Sequence, residues 1–182
     1  MTHVLLISGS VREGSTNRAA LATAAAAAPP GVTTTFYEGL LALPHFHPDL
    51  DQAPLPEPVT ELRGAIEAAD ALLFCTPEYA GALPGALKEL LEWTVGGVEI
   101  GDKPTGWINV STMPSGAAGA HAELATVLRY TDARLVDDAC VHLPVRRDEI
   151  GSDGLITNPQ TRAAITQVLG TLAAAHQADC TA

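Results

Sequence analysis

HVLLISGSVREGSTNRAALATAAAAA, residues His3 to Ala28, decides how the rest of the chain is read. His3 to Ser8 is a short apolar run of the kind that forms a buried strand, and Thr16 to Ala28 is an alanine-rich helical stretch stopped by Pro29-Pro30-Gly31. Between them SGSVREGSTN, Ser8 to Asn17, supplies small, hydroxylated and amide residues with one arginine. A helix opening directly after a strand presents unpaired backbone N–H groups and the positive end of its dipole, which together favour a phosphate. Ser10, Ser15, Thr16 and Asn17 add short donors, and Arg12 adds a charge able to grip phosphate oxygens in two places. The competing reading is that Ser15 caps the helix while Arg12 is solvated. Neither the G-x-G-x-x-G fingerprint nor G-x-x-x-x-G-K-[ST] is present, so this stretch alone leaves both readings open.

The same alternation continues along the chain. Val32 to Glu38 is β-branched and aromatic, a second strand; a proline-rich connection runs from about Leu43 to Pro58; Val59 to Ala69 reads as a helix. Ala71 to Thr76 is a third strand, Leu83 to Thr94 a helix, Thr105 to Ser111 a fourth strand and Ala118 to Tyr130 a helix. Arg134 to Leu143 reads as a fifth strand and Pro159 to His176 as a closing helix capped by Asn158, with a loose tail from 175 to 182. Strand–helix alternation of this kind predicts an α/β fold: a doubly wound, five-stranded parallel sheet with helices on both faces, in one domain spanning 1–182. Connections as long as Leu43 to Pro58 are often functional.

Ligands of such sheets sit at the carboxyl ends of the strands, which directs attention to two further loops. Thr76 to Trp93 runs from a buried strand into Pro77-Glu78-Tyr79 and then through Gly81, Pro84 and Gly85. Rigid proline beside exposed amides suits the polar edge of a planar heterocycle, and Tyr79 suits its face. A plain turn before an amphipathic helix, with Leu87, Leu90, Leu91 and Trp93 as core, explains the helix but not the Glu-Tyr pair. Ser111 to Ala120 is a small-residue loop whose Gly116 and Gly119 allow close backbone approach.

Composition narrows the classes. Ten basic against 21 acidic residues give a net charge of −11, which argues against unspecific binding of nucleic acid or anionic membrane. No apolar run reaches the length of a membrane span and no signal peptide is evident, so a cytoplasmic protein is expected. Cys75, Cys140 and Cys180 show no metal or redox spacing; the first two read as buried thiols. His45 and His47, near Asp49 and Asp51, lack a clear fourth ligand, and no metal site is expected. No G-x-S-x-G elbow is present, and Arg146-Arg147 reads as a solvated basic pair.

Taken together, the three loops resemble the NAD(P)H-dependent FMN reductase family, whose fold is flavodoxin-like. The family's G-S-x-R-x-x-S-x-N loop is matched by Gly9, Ser10, Arg12, Ser15 and Asn17, and its P-E-Y-N by Pro77-Glu78-Tyr79, followed by Pro84, Gly85, Leu87 and Lys88. The resemblance runs from His3 to about Leu143. It implies that Ser10, Arg12, Ser15 and Asn17, with the backbone of Thr16, hold the FMN phosphate. Pro77, Glu78, Tyr79 and Ala80 would border the isoalloxazine, and the loop carrying Ser111, Ser115 and Gly116 would close its far side. Two positions depart from the family pattern: Ala80 replaces its asparagine, and Gly116-Ala117 replaces its paired glycine.

The implied activity is hydride transfer from NADH or NADPH to FMN and onward to a small-molecule acceptor such as a quinone, azo compound, free flavin, oxygen or metal oxyanion, with ping-pong kinetics. The redox chemistry belongs to the cofactor, so no catalytic side chain is expected, and the backbone N–H groups near Tyr79 and Ala80 are the groups expected to bias the flavin. The resemblance also implies a homodimer or homotetramer. An FMN-binding electron carrier without turnover would use the same loops, whereas a phosphate-binding hydrolase would leave Pro77-Glu78-Tyr79 unexplained.

Overall fold

The computed structural model describes residues 1–179. Five strands, β1 (Thr2–Ser8), β2 (Val32–Phe36), β3 (Ala71–Cys75), β4 (Pro104–Asn109) and β5 (Arg134–His142), form one all-parallel sheet in the order β2-β1-β3-β4-β5. Five helices connect or follow them: α1 (Thr16–Ala26), α2 (Glu57–Glu67), α3 (Gly85–Glu92), α4 (Ala118–Tyr130) and α5 (Pro159–Asp179). This strand order is that of flavodoxin-like doubly wound sheets, as the resemblance implied.

Alternate residues of a strand face opposite sides of a sheet, and here each side has its own core. Leu5, Ile7, Leu72 and Phe74 join α2, α3 and α4 in one cluster. Val4, Leu6, Ala71, Leu73 and Cys75 join α1 and α5 in the other. The central strands β1 and β3 are buried almost throughout, which is why they read as unbroken apolar runs. Edge strand β2 buries one side only, in keeping with its threonines.

The long connection between β2 and α2 is fastened down. Trp93, fully buried, donates its indole N–H to Pro44 O (2.8 Å) and meets Phe46 edge-on at 5.0 Å. Arg63 donates to Trp93 O from Nε (3.0 Å) and Nη2 (2.8 Å) and pairs with Asp51 at 2.5 Å. The segment is thereby held both to α2, through Arg63, and to the end of α3, through Trp93. His45 Nδ1 lies 3.0 Å from Glu89, while His47 Nδ1 accepts from Asp49 N–H (3.2 Å), so the two rings serve different partners. Among the described residues no group of three His, Cys, Asp or Glu is placed to hold a metal ion.

Asn158 caps α5 as expected, accepting from Gln160 and Thr161 N–H (2.9 and 3.1 Å). That helix continues to Asp179, so 175–179 of the expected tail is helical; 180–182, with Cys180, lies outside the described residues. Among the described residues no helix is long and apolar enough to cross a membrane.

Candidate functional site

A cavity of about 1070 Å³ opens at the carboxyl ends of β1, β3, β4 and β5. Its first wall is the stretch between β1 and α1. Gly9 N–H donates to Cys75 O (2.9 Å), and a Cβ on Gly9 would fall 2.3 Å from Thr76 Oγ1, so only glycine lets the loops after β1 and β3 touch. Ser15 is buried and its Oγ accepts from Arg18 N–H (3.1 Å), capping α1. The N–H groups of Thr16 and Asn17, in the first turn, have no partner within the helix. Arg12, Thr16 and Asn17 line the cavity. Cys75 Sγ–H donates to Asn17 Oδ1 (3.3 Å), which leaves the Asn17 amide nitrogen for the cavity. Burial pushes the Cys75 thiol far up, so it stays protonated as that donor.

Arg18 is committed elsewhere. It grips Glu38 at 2.9 and 2.6 Å, lies 5.0 Å from the Phe36 ring, and its hydrogen bonds hold the Glu38 carboxyl below the usual range. A second cavity of about 410 Å³ lies on that flank, bounded by Ser10, Arg12, Tyr37 and Leu40. Ser10 therefore sits on the far side of Arg12, where its Oγ accepts from Arg12 N–H at 3.4 Å.

The second wall follows β3. Pro77 and Glu78 line the main cavity, while Tyr79, half exposed, does not. Tyr79 and Ala82 exchange two backbone hydrogen bonds (3.0 and 3.1 Å) around Ala80 (φ 53°) and Gly81 (φ 78°). Two left-handed central residues mark a type I′ turn, whose preferred first residue is asparagine. The family's asparagine thus stands at a strained backbone position that Ala80 occupies without the amide's local compensation. The turn also consumes the Tyr79 N–H expected to bias the flavin, leaving those of Ala80 and Gly81.

Glu78 has a second role that its place in the motif did not suggest. Its Oε2 accepts from Ala120 N–H (3.1 Å) at the start of α4, whose preceding residue, Ala117, offers no capping side chain. In return Glu123 of α4 accepts from Leu83 N–H (2.7 Å), just ahead of α3. A Cβ on Gly119 would stand 2.2 Å from Gly81 O, so this glycine admits the facing loop rather than a ligand.

The third wall follows β4 and is shaped by Asn109. Its Nδ2 donates to Gly116 O (2.6 Å) and its Oδ1 accepts from Ser111 N–H (3.0 Å). Gly116 and Ala117 both take left-handed conformations, φ 60° and 52°. Ser111 and Ser115 line the cavity; Gly116 lies behind it, where a Cβ would come 3.2 Å from the His142 ring. His142, at the end of β5, donates from Nε2 to Ser111 O (2.8 Å) and also lines the cavity. Behind it His121 is buried, donates from Nδ1 to Ala117 O (2.9 Å) and leaves Nε2 unpartnered; burial lowers its pKa.

The fourth wall, from Pro144 to Glu149, contains the pair read as solvated: Arg146 and Arg147 border the cavity. Among the twelve residues the sequence singled out, the structure brings Arg12, Thr16, Asn17, Pro77, Glu78, Ser111 and Ser115 onto one cavity. Ser10, Ser15, Tyr79, Ala80 and Gly116 stand around it as supports. His142, Arg146 and Arg147 were missed because nothing local marks them; only their place after the fifth strand does.

These donors fit FMN. A dianionic phosphate needs unpaired amides, short neutral donors and a cation, which Thr16, Asn17 and Arg12 supply at one end. A flat ring needs backbone edges, which the second and third walls supply. The volume, at the upper limit of ordinary small-molecule sites, leaves room for a second planar molecule.

Residues 2–147 match the family model described as NADPH-dependent FMN reductase. The chain is 32% identical to the NAD(P)H-dependent FMN reductase of Pseudomonas aeruginosa over 171 residues, 93% of this chain and 92% of that protein. It is 30% identical to the 2-hydroxy-1,4-benzoquinone reductase of a Burkholderia species over 162 residues, 87% of each chain. The solved structure of FerB, a flavoenzyme NAD(P)H:(acceptor) oxidoreductase from Paracoccus denitrificans, superposes with a TM-score of 0.85 at 26% identity, covering 97% of this chain and 98% of that one.

Proposed function

The chain belongs to the NADPH-dependent FMN reductase family, and we propose that it holds FMN along the main cavity and passes electrons from NAD(P)H to a small-molecule acceptor, most simply a quinone. When bound, FMN supplies the chemistry: it takes a hydride from the nicotinamide and delivers two electrons to the acceptor.

The protein's part is binding and orientation. Arg12 and the amides of Thr16 and Asn17 hold the phosphate, and the Asn17 side chain is aimed by the Cys75 thiol. Pro77, the Ala80-Gly81 turn and the Ser111 to Ser115 segment set the ring between them. Ser111 is steadied from below by Asn109 and from the side by His142. Nicotinamide and acceptor take the same open face in turn, which is a ping-pong scheme. Azo compounds, free flavin, oxygen and metal oxyanions belong to the same class of acceptor.

The observation that carries this reading is that Arg12, Thr16 and Asn17 border one continuous cavity together with the loops after β3 and β4. Its test is an absorbance spectrum of the purified protein, before and after added FMN, followed by NADPH under argon. A flavin spectrum that bleaches with NADPH and returns with a quinone supports the proposal. A protein that neither carries nor takes up FMN overturns it, and a flavin spectrum unchanged by either pyridine nucleotide leaves a carrier instead of a reductase.

A cytoplasmic homodimer or homotetramer is part of the same proposal. It rests on the family resemblance, and light scattering on the purified protein tests it.

A further inference from the structure

The connection from β5 to α5 does not stay at its own edge of the sheet. Val145 N–H donates to Val110 O (3.2 Å) at the end of β4, and Ile156 N–H donates to Thr23 Oγ1 (2.9 Å) on α1. Glu149 O also accepts from Thr157 N–H (2.8 Å) and Thr157 Oγ1 (2.9 Å), closing the segment into a hairpin. The backbone is thereby drawn back across the sheet ends toward the helix that begins with Thr16. As a result Arg147 borders the same cavity as Arg12, Thr16 and Asn17, although 130 residues separate it from Asn17.

The acidic neighbours of Arg147, which also line the cavity, are turned to other donors. Asp148 is taken by Arg146, through Nε at 3.0 Å and Nη2 at 3.1 Å. Glu149 accepts from Arg146 N–H (2.8 Å) with one oxygen and from Asn158 Nδ2 (3.5 Å) with the other. Among the described residues the Arg147 guanidinium has no ion-pair partner. Arg12, on the same cavity, likewise has no ion-pair partner among the described residues.

A phosphomonoester near neutral pH carries close to two negative charges. One arginine and neutral amides leave part of that charge uncompensated, and a second cation on the same cavity can meet it. We infer that Arg147 is a second cation for the phosphomonoester of the mononucleotide, reaching it from the loop after β5. This rests on the FMN reading above and extends it to a residue outside the family's phosphate loop.

The test compares FMN with riboflavin, which lacks the phosphate. The full-length protein, stripped of flavin, is titrated with each, following quenching of flavin fluorescence, as parent, Arg147→Ala, Arg147→Lys and Arg12→Ala. Arg147→Ala is expected to weaken FMN about tenfold to a hundredfold and leave riboflavin unchanged, with a shallower salt dependence. Arg147→Lys should recover part of the loss, since it keeps the charge without the fork. FMN affinity unchanged in Arg147→Ala but reduced in Arg12→Ala overturns the role of Arg147 alone. An equal loss for FMN and riboflavin assigns Arg147 a structural part and overturns it as well. If Arg12→Ala leaves FMN affinity intact, the phosphate site itself is misplaced and both readings fall.

Discussion

Glu78 and Ala120 meet across the site: a carboxylate oxygen from the loop after β3 accepts the backbone N–H of the first turn of α4 at 3.1 Å. An acid at a helix N-terminus satisfies an orphan donor and complements the dipole. A residue chosen by its motif as a flavin neighbour is thus also the cap of a helix 42 positions away.

Replacing Glu78 with alanine should therefore cost about 1 kcal/mol of stability, the ordinary value of a lost helix cap. Glu78→Gln keeps an acceptor and should lose less. Urea unfolding of the three proteins measures this; equal midpoints for Glu78→Ala and the parent would remove the cap from the account.

Ala80 sits at φ 53° in the first central position of its turn. Ala80→Gly should stabilise the protein by about 0.5–1 kcal/mol, and Ala80→Asn by a smaller amount, because both tolerate the left-handed region better. For a chain of this size the gain for glycine reads as a rise of roughly 1 to 4 °C in Tm. A lower Tm for Ala80→Gly contradicts a strained turn.

His121 couples the β4 loop to acid. Burial holds its folded-state pKa below the ordinary value, while in the unfolded chain it titrates near 6.5. As pH falls through about 6.5 the unfolded state takes up a proton that the folded state refuses. Stability then declines by at most about 1.4 kcal/mol per pH unit until the lower folded value is reached. His121→Asn keeps a donor for Ala117 O but does not titrate. Its denaturation midpoint should fall less between pH 7 and 5 than the parent's, and parallel curves would rule His121 out as the source.

Arg12→Ala should weaken FMN about tenfold to a hundredfold, as expected for loss of a charge-assisted contact, without unfolding an exposed loop position. Flavin fluorescence measures the affinity, and circular dichroism checks the fold.

Most of the fold was legible because burial on both faces writes β1 and β3 as unbroken apolar runs. The caps and breakers at Ser15, Pro29 and Asn158 are local chemistry, and α4 was bounded to the residue. The site was legible where motif residues point inward, as Arg12, Thr16 and Asn17 do. It was not legible where a residue's duty is owed to something distant. Nothing near Glu78 announces Ala120, nothing near Gly119 announces the Gly81 carbonyl, and Arg147 reaches the cavity only because Ile156 is tied to Thr23. The anchoring of the Leu43 to Pro58 connection was equally hidden: its length drew attention, but nothing in the sequence shows that Pro44 and Asp51 hold Trp93 and Arg63.

The exchange of carboxylates between the two loops has a mechanical meaning. Glu78 holds the head of α4, and Glu123 of α4 holds the approach to α3. Two linkages running in opposite directions make a truss, so one bank of the cavity cannot lean outward without carrying the other. Widening this side to admit a bulkier acceptor requires both struts to break together. Acceptor range should therefore change abruptly, when both struts are removed, and hardly at all when one strut is cut or rim residues are trimmed.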